Sequence, residues 1–197
     1  MSGLVAISSL REFFKTLLGE AFRHRTVQVT ETTEFYLVNL LSDFAATDRL
    51  FPQETEGGRD HEPLAILFHR AQQQDREGQI KTLRQLGDVS LYKAGFFGDA
   101  IREEVVGAEY YIQMGGAAYG RVADLTPASG YSGVYRELHD KFRLLVDVLE
   151  EIAARGLAST GPEGALRVYE SWARTGNQRL ERVLVDAGLL VPRGLPN

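Results

Sequence analysis

Three stripes of polar side chains at helical spacing are the residues of this chain best placed to do chemistry. Tyr36, Asn39 and Asp43 recur at steps of three and four inside a strongly apolar stretch. Asp88, Tyr92, Gly95 and Asp99 make a second stripe, and Glu109, Gln113, Gly116 and Gly120 a third. Residues three and four apart share one helix face, so each stripe presents its groups together. Carboxylates gathered in a buried site shift their pKa values and become candidate acids or bases. A buried polar group left unpaired costs about 1–3 kcal/mol, so these groups must find partners. Two readings follow. The stripes form a core network that fixes helix register, or they line a ligand pocket made of Tyr36, Asn39, Asp43, Asp88, Tyr92, Asp99, Glu109 and Gln113.

The second and third stripes lie in a segment, residues 86–120, that holds seven of the chain's twenty glycines. Each glycine inside a helix costs roughly 0.5–1 kcal/mol relative to alanine, so that density needs a cause. Something must approach the backbone closely, either another helix or a ligand. Ala94 with Gly98 and Gly116 with Gly120 have small-xxx-small spacing, which predicts close helix packing.

Several chemistries lack their residues. There is no cysteine, hence no disulfide, thiolate metal site or cysteine nucleophile. A di-metal helical bundle uses Glu-x-x-His pairs, and none occurs. Glu20 and His24 stand four apart, but one such pair does not make a site. His61, His69 and His139 are scattered, so no metal site is expected. Neither the Gly-x-Ser-x-Gly elbow of a serine nucleophile nor a Walker phosphate loop is present, and the glycines follow no strand. Catalytic residues stay unassigned.

The elements that would carry the stripes are helices. Leu10, Phe13, Phe14, Leu17, Leu18 and Phe22 give an apolar face over residues 10–24, with Ser9 and Glu12 at capping-box spacing. Thr30 is an N-cap candidate for a second helix ending near Ala46, with Glu31 and Glu34 at its positive end. That helix is apolar on almost every side, Phe35 included, which predicts extensive burial. Residues 52–61 read as an exposed loop containing Gly57 and Gly58. Pro63 then opens a helix reaching about Gln74, and Asp75 caps the next, which extends to about Val106. Gly107 breaks it from a helix over 108–125. After a loop at 126–132, one long helix is expected over 133–154 with Gly156 just past its end. Shorter helices follow over 163–174 and 178–187, ended by Gly176 and Gly188. Trp172, with Leu166, Val168 and Tyr169, is expected to anchor the first of these two on the core. Residues 189–197, with Pro192 and Pro196, read as an irregular tail.

The sum is an all-α, single-domain helical bundle of about seven to nine helices spanning residues 1–197. At 197 residues, 44% hydrophobic and 25% charged, the chain has ordinary globular composition. A net charge of −5 with interspersed signs gives no footprint for nucleic acid. No run of eighteen apolar residues spans a membrane, and the first residues lack the basic start of a signal peptide. A soluble, cytoplasmic protein is expected.

At Leu86-Gly-Asp-Val-Ser-Leu-Tyr, Gly95-Phe-Phe-Gly-Asp and Tyr110-Tyr-Ile-Gln-Met-Gly-Gly-Ala-Ala-Tyr-Gly, the chain resembles a family of uncharacterised all-helical bacterial proteins with no assigned activity. The likeness extends to residues 36–44 and 169–176. It implies one family domain and supplies no function. Gly87-Asp88-Val89-Ser90 is similar to the start of the Gly-Asp-x-Ser-Gly-Gly motif on the distal helix of haem oxygenases, which implies haem as a ligand. Leu91 and Tyr92 stand where that motif has its paired glycines, and His24 would be the axial candidate.

The leading functional expectation is a non-catalytic protein that binds a partner protein or a second copy of itself. The alternative is a small-molecule or cofactor pocket, haem included, in the helical core.

Overall fold

The computed structural model describes residues 2–46, 64–101, 107–127, 130–159, 162–176 and 178–188. The expected loop at 52–61, with His61, and the tail at 189–197 lie outside them. Among the described residues the chain is all-α, with nine helices and no strand. They are α1 (Ser2–Arg25), α2 (Glu31–Ala46), α3 (Leu64–Ala71), α4 (Arg76–Ile101), α5 (Ala108–Leu125), α6 (Ser132–Asp140), α7 (Phe142–Ser159), α8 (Pro162–Thr175) and α9 (Gln178–Asp186). None of the described helices is long and apolar enough to cross a membrane.

The first helix begins eight residues earlier than the Ser9–Glu12 spacing implies, so position 9 is inside α1 and not at its start. Its far end closes with two backbone bonds, Val27 N–H to Phe22 C=O at 3.0 Å and Thr26 N–H to Arg23 C=O at 3.2 Å. This is the pattern of a helix ending on a left-handed residue, normally glycine. Here the residue is Thr26, at φ 55°. A β-branched residue in that region is strained, and the buried contact of Phe22 and Val27 with the core holds it there.

Thr30 then caps α2 as its sequence position implies. Its Oγ1 accepts from the Thr33 N–H at 3.3 Å and donates to Glu137 Oε2 at 2.7 Å, while its own N–H donates to the same carboxylate at 3.0 Å. Lys141 Nζ adds a bond to Glu137 at 2.7 Å and another to the Gln28 carbonyl at 2.6 Å. The polar hub ties α6 to the start of α2. It also accounts for the main departure from the expected elements. The helix predicted over 133–154 is two helices, with a non-helical joint at Lys141 (φ −107°, ψ 12°). No glycine or proline marks that joint. Lys141 and Glu137 are drawn to the α2 cap, and Phe142 turns into α5. Gly156, expected past the end, lies inside α7 with open space around it.

α4 is the central element, packing on α5 along its first half and on α7 along its second. The main core joins α1 to α7 through Leu18, Leu37, Leu41, Leu83, Leu91, Tyr119, Leu138 and Leu149. A second, smaller core gathers Ala154, Val168, Leu180, Val183 and Leu184 where α8 and α9 fold back on α7, with Trp172 packed against it. Gly176 (φ 64°) and Gly188 (φ 73°) end α8 and α9 in the left-handed conformation their positions imply. Phe35, expected inside, is 63% exposed, because α2 has its neighbours on its other sides.

Burial raises the Glu137 carboxyl, but hydrogen bonds from Lys141, Thr33 and Thr30 outweigh it and hold the group down at about 2. A depressed carboxylate contributes stability that is present above the ordinary glutamate range and is lost as pH falls through its folded value. Glu137→Gln is therefore expected to cost about 1–2 kcal/mol at neutral pH, the scale of a lost cap and its hydrogen bonds. Urea unfolding at pH 7 and at acid pH checks this, and the gap between parent and variant should shrink as the pH is lowered toward 2.

Candidate functional site

Of the eight residues in the predicted polar stripes, Tyr36 and Asp88 are joined directly across two stripes. The Tyr36 hydroxyl donates to Asp88 Oδ1 at 2.5 Å, and Tyr119, from α5, donates to the same oxygen at 2.7 Å. Tyr135, from α6, completes the cluster: its ring meets Tyr36 edge-on at 5.8 Å and Tyr119 at 6.1 Å. Arg84, one turn before Asp88, lies near enough for its charge to act on both Tyr135 and Asp88. Four helices thus send polar groups to one point in the core, around a carboxyl that is itself largely buried.

The other stripe members go elsewhere. Asn39 donates to the Phe35 carbonyl of its own helix at 2.9 Å, because helical geometry puts that acceptor within its reach. Asp43 is exposed. Its charge still acts on Asp88. Tyr92 is buried in an aromatic cluster, stacked on Phe44 at 4.3 Å and on Phe96 at 5.0 Å. The cluster adjoins a kink at Phe97 (φ −120°, ψ 15°). The side chain of Asp99 lies outside the described residues. Glu109 and Gln113 stay on the surface, bonded to each other, with Glu109 also paired to Arg143 of α7. The third stripe faces α6 and α7 through its glycines, so the three stripes do not close on one cavity.

The glycines show what approaches the backbone. A Cβ on Gly87 would stand 2.6 Å from the Tyr119 ring. On Gly115 it would stand 2.3 Å from Phe142 and 2.6 Å from the Ser90 Cβ, and on Gly95 2.4 Å from the Leu149 Cβ. Gly120 receives His139, whose Nδ1 is 2.6 Å from the Gly116 carbonyl oxygen. Side chains of the chain itself fill these notches. Gly98, singled out by its small-xxx-small spacing, is the looser case, since only the mobile end of Glu150 comes near, at 3.0 Å. At the haem-oxygenase-like Gly87-Asp88-Val89-Ser90, the face over Gly87 is taken by Tyr119, and Leu91 and Tyr92 are buried.

Burial raises the Asp88 carboxyl above the ordinary aspartate range, the Tyr36 and Tyr119 donors and Arg84 pull against that, and Asp43 adds to it. Burial, then the charge of Asp88, pushes the Tyr36 and Tyr119 hydroxyls far upward, so both remain protonated donors. A carboxyl receiving two such donors is suited to fixing helix register. Among the described residues no three His, Cys, Asp or Glu side chains are grouped as a metal site requires.

Open space lies at other places. A cleft of about 270 Å³ between α1, α7 and α9 is lined by His24, Glu151, Arg155, Arg182, Val183 and Asp186. A second, of about 430 Å³, flanks the α2 cap beside Thr30, Glu137 and Lys141. Sequence spacing contains part of the first: Glu20 with His24, and Glu151 with Arg155, are four apart. It contains nothing that joins the two pairs, which are more than a hundred residues distant. Glu20 and His24 both meet the Arg155 guanidinium, at 3.8 and 2.5 Å. Tyr119 and Tyr135 were likewise out of reach, while Arg84 at one turn from Asp88 was a readable pair.

No protein family model, curated protein or solved structure matches the chain.

Gly95→Ala is expected to destabilise by about 1–3 kcal/mol despite better helix propensity, because the Leu149 Cβ cannot retreat as a side-chain tip can. Gly156→Ala, in open space, should stabilise by roughly 0.5–1 kcal/mol. Urea unfolding of both variants checks the pair. Asp88→Asn is expected to cost about 1–3 kcal/mol with helical circular dichroism retained, since one of the polar groups around it loses its partner. Its pH dependence has the opposite sign to Glu137. A raised carboxyl contributes stability that is present below its unfolded value and is lost as pH rises through its folded value, so this component should vanish in Asp88→Asn.

Proposed function

We propose that the protein is non-catalytic and works by binding, with a second copy of itself as the partner and the outer face of α8 as the surface. The observation that carries this reading is a ridge of apolar side chains on that helix. Leu166 is 54% exposed and Tyr169, one turn on, is 43% exposed. The Tyr169 ring leans on Trp172 at 5.5 Å, and Trp172 packs on the second core. The ridge is therefore rooted in the fold, although Leu166 and Tyr169, expected to help seat α8 on the core, point away from it. Val168 takes the inward position.

The notches at Gly87, Gly95, Gly115 and Gly120 are filled by the chain's own side chains and the Asp88 carboxyl is engaged by Tyr36 and Tyr119, which also supports a role at the surface. A single apolar ridge on one helix can meet its own copy across a two-fold axis, because both halves of such a contact are the same surface. Size-exclusion chromatography with light scattering tests it. A dimer at micromolar concentration that becomes a monomer in Leu166→Glu/Tyr169→Glu is the expected result. A parent protein that is monomeric throughout, or a dimer indifferent to the double substitution, overturns it.

A further inference from the structure

The cleft between α1, α7 and α9 contains a hydrogen-bonding conflict centred on one imidazole nitrogen. His24 Nδ1 lies 2.5 Å from Arg155 Nη2 and 3.3 Å from Glu151 Oε1. A guanidinium nitrogen only donates and a carboxylate oxygen only accepts, so Nδ1 can satisfy one neighbour at a time. Without a proton, Nδ1 accepts from Arg155 and turns its lone pair toward the carboxylate. With a proton, it donates to Glu151 and faces the guanidinium cation.

Both neighbours are poised for either state. Arg155 Nη2 has two hydrogens and three acceptors around it: His24 at 2.5 Å, Glu151 at 3.1 Å and Asp186, on α9, at 3.3 Å. It is oversubscribed, so giving up His24 leaves no hydrogen unused. Meanwhile the Arg155 Nε–H is buried without a partner. Glu151, only 6% exposed, is held independently by Arg25 Nε at 2.9 Å on its other oxygen and stays in place. The remaining charges facing the ring from its own helix are Glu20 and Arg25, the former 3.8 Å from Arg155. From α7 there is also Asp147, 3.8 Å from Arg25, and from α9 Arg182 and Asp186 line the cleft. His24 is half-exposed, so protons reach it from solvent.

We infer that His24 is a proton-operated switch on the Arg155 guanidinium: unprotonated His24 shares Arg155 Nη2 with Glu151 and Asp186, and protonated His24 pairs with Glu151 and leaves that nitrogen to the carboxylates, Asp186 of α9 among them. The switch sits where the second core meets the main one, and it changes what ties α9 to the bundle. Gain or loss of one proton at the ring is the signal.

Nitrogen-15 NMR of the full chain tests this. At pH 8 the His24 ring should be the Nε2–H tautomer with Nδ1 as acceptor. On acidification, the Arg155 Nε–H and the amides of residues 183–186 should shift along the same titration curve as the His24 ring. In His24→Gln those shifts at Arg155 and α9 should disappear. An Nδ1–H tautomer at pH 8 overturns the inference in the unmodified protein, whether or not the variant folds. Resonances of Arg155 and α9 that ignore the His24 titration, or that move equally in His24→Gln, also overturn it.

Discussion

Helix α4 is gripped at positions where it has no side chain of its own. Tyr119 occupies the space over Gly87, and Leu149 occupies the space over Gly95. In return α5 opens at Gly115, where Phe142 and Ser90 meet it. Ordinary helix pairs keep their axes apart by interleaving side chains from both surfaces. Here a large side chain from one helix lies directly on the backbone of the other, which brings α4, α5 and α7 closer than paired side chains would allow. Dispersion contacts at that distance are many and individually small, and they are lost together if a notch is filled.

The polar interior depends on this approach. Tyr119 can reach Asp88 only because its ring lies over Gly87, the residue immediately before the acid. With Tyr36 and Tyr135 arriving from α2 and α6, the cluster fixes the register of four helices at one carboxyl. Apolar packing alone tolerates sliding by a turn, whereas two hydroxyl donors aimed at one oxygen do not. Asp88 pays for this with desolvation, which is why its carboxyl lies above the ordinary range.

The periphery is organised by charge. Glu137 serves as a cap for a helix other than its own, and it bends the chain between α6 and α7 in doing so. Where α1 ends, Arg25, His24, Glu151 and Arg155 form a partly buried ionic junction between the two cores. Such junctions add little net stability once desolvation is counted, but they are sensitive to the protonation of any one member. In the tyrosine–aspartate cluster the tyrosine donors keep their protons, and the Asp88 carboxyl is the group left to titrate.

Local chemistry determined the helices, their caps at Thr30 and Asp75, the breaks at Gly107 and Gly176, and the requirement that something press on the glycines. These are properties of adjacent residues, set by propensity, spacing and backbone freedom, and they are legible in one dimension. Tertiary structure alone decided what fills the glycines, that Tyr36 and Asp88 meet while Asn39, Asp43, Glu109 and Gln113 do not join them, and that the helix predicted over 133–154 bends at Lys141. It also decided which of α8's apolar residues face inward, and it carried His24 to Glu151 and Arg155. Each outcome depends on the rotation and register of one helix against another, and periodicity states which residues share a face without stating what that face will meet.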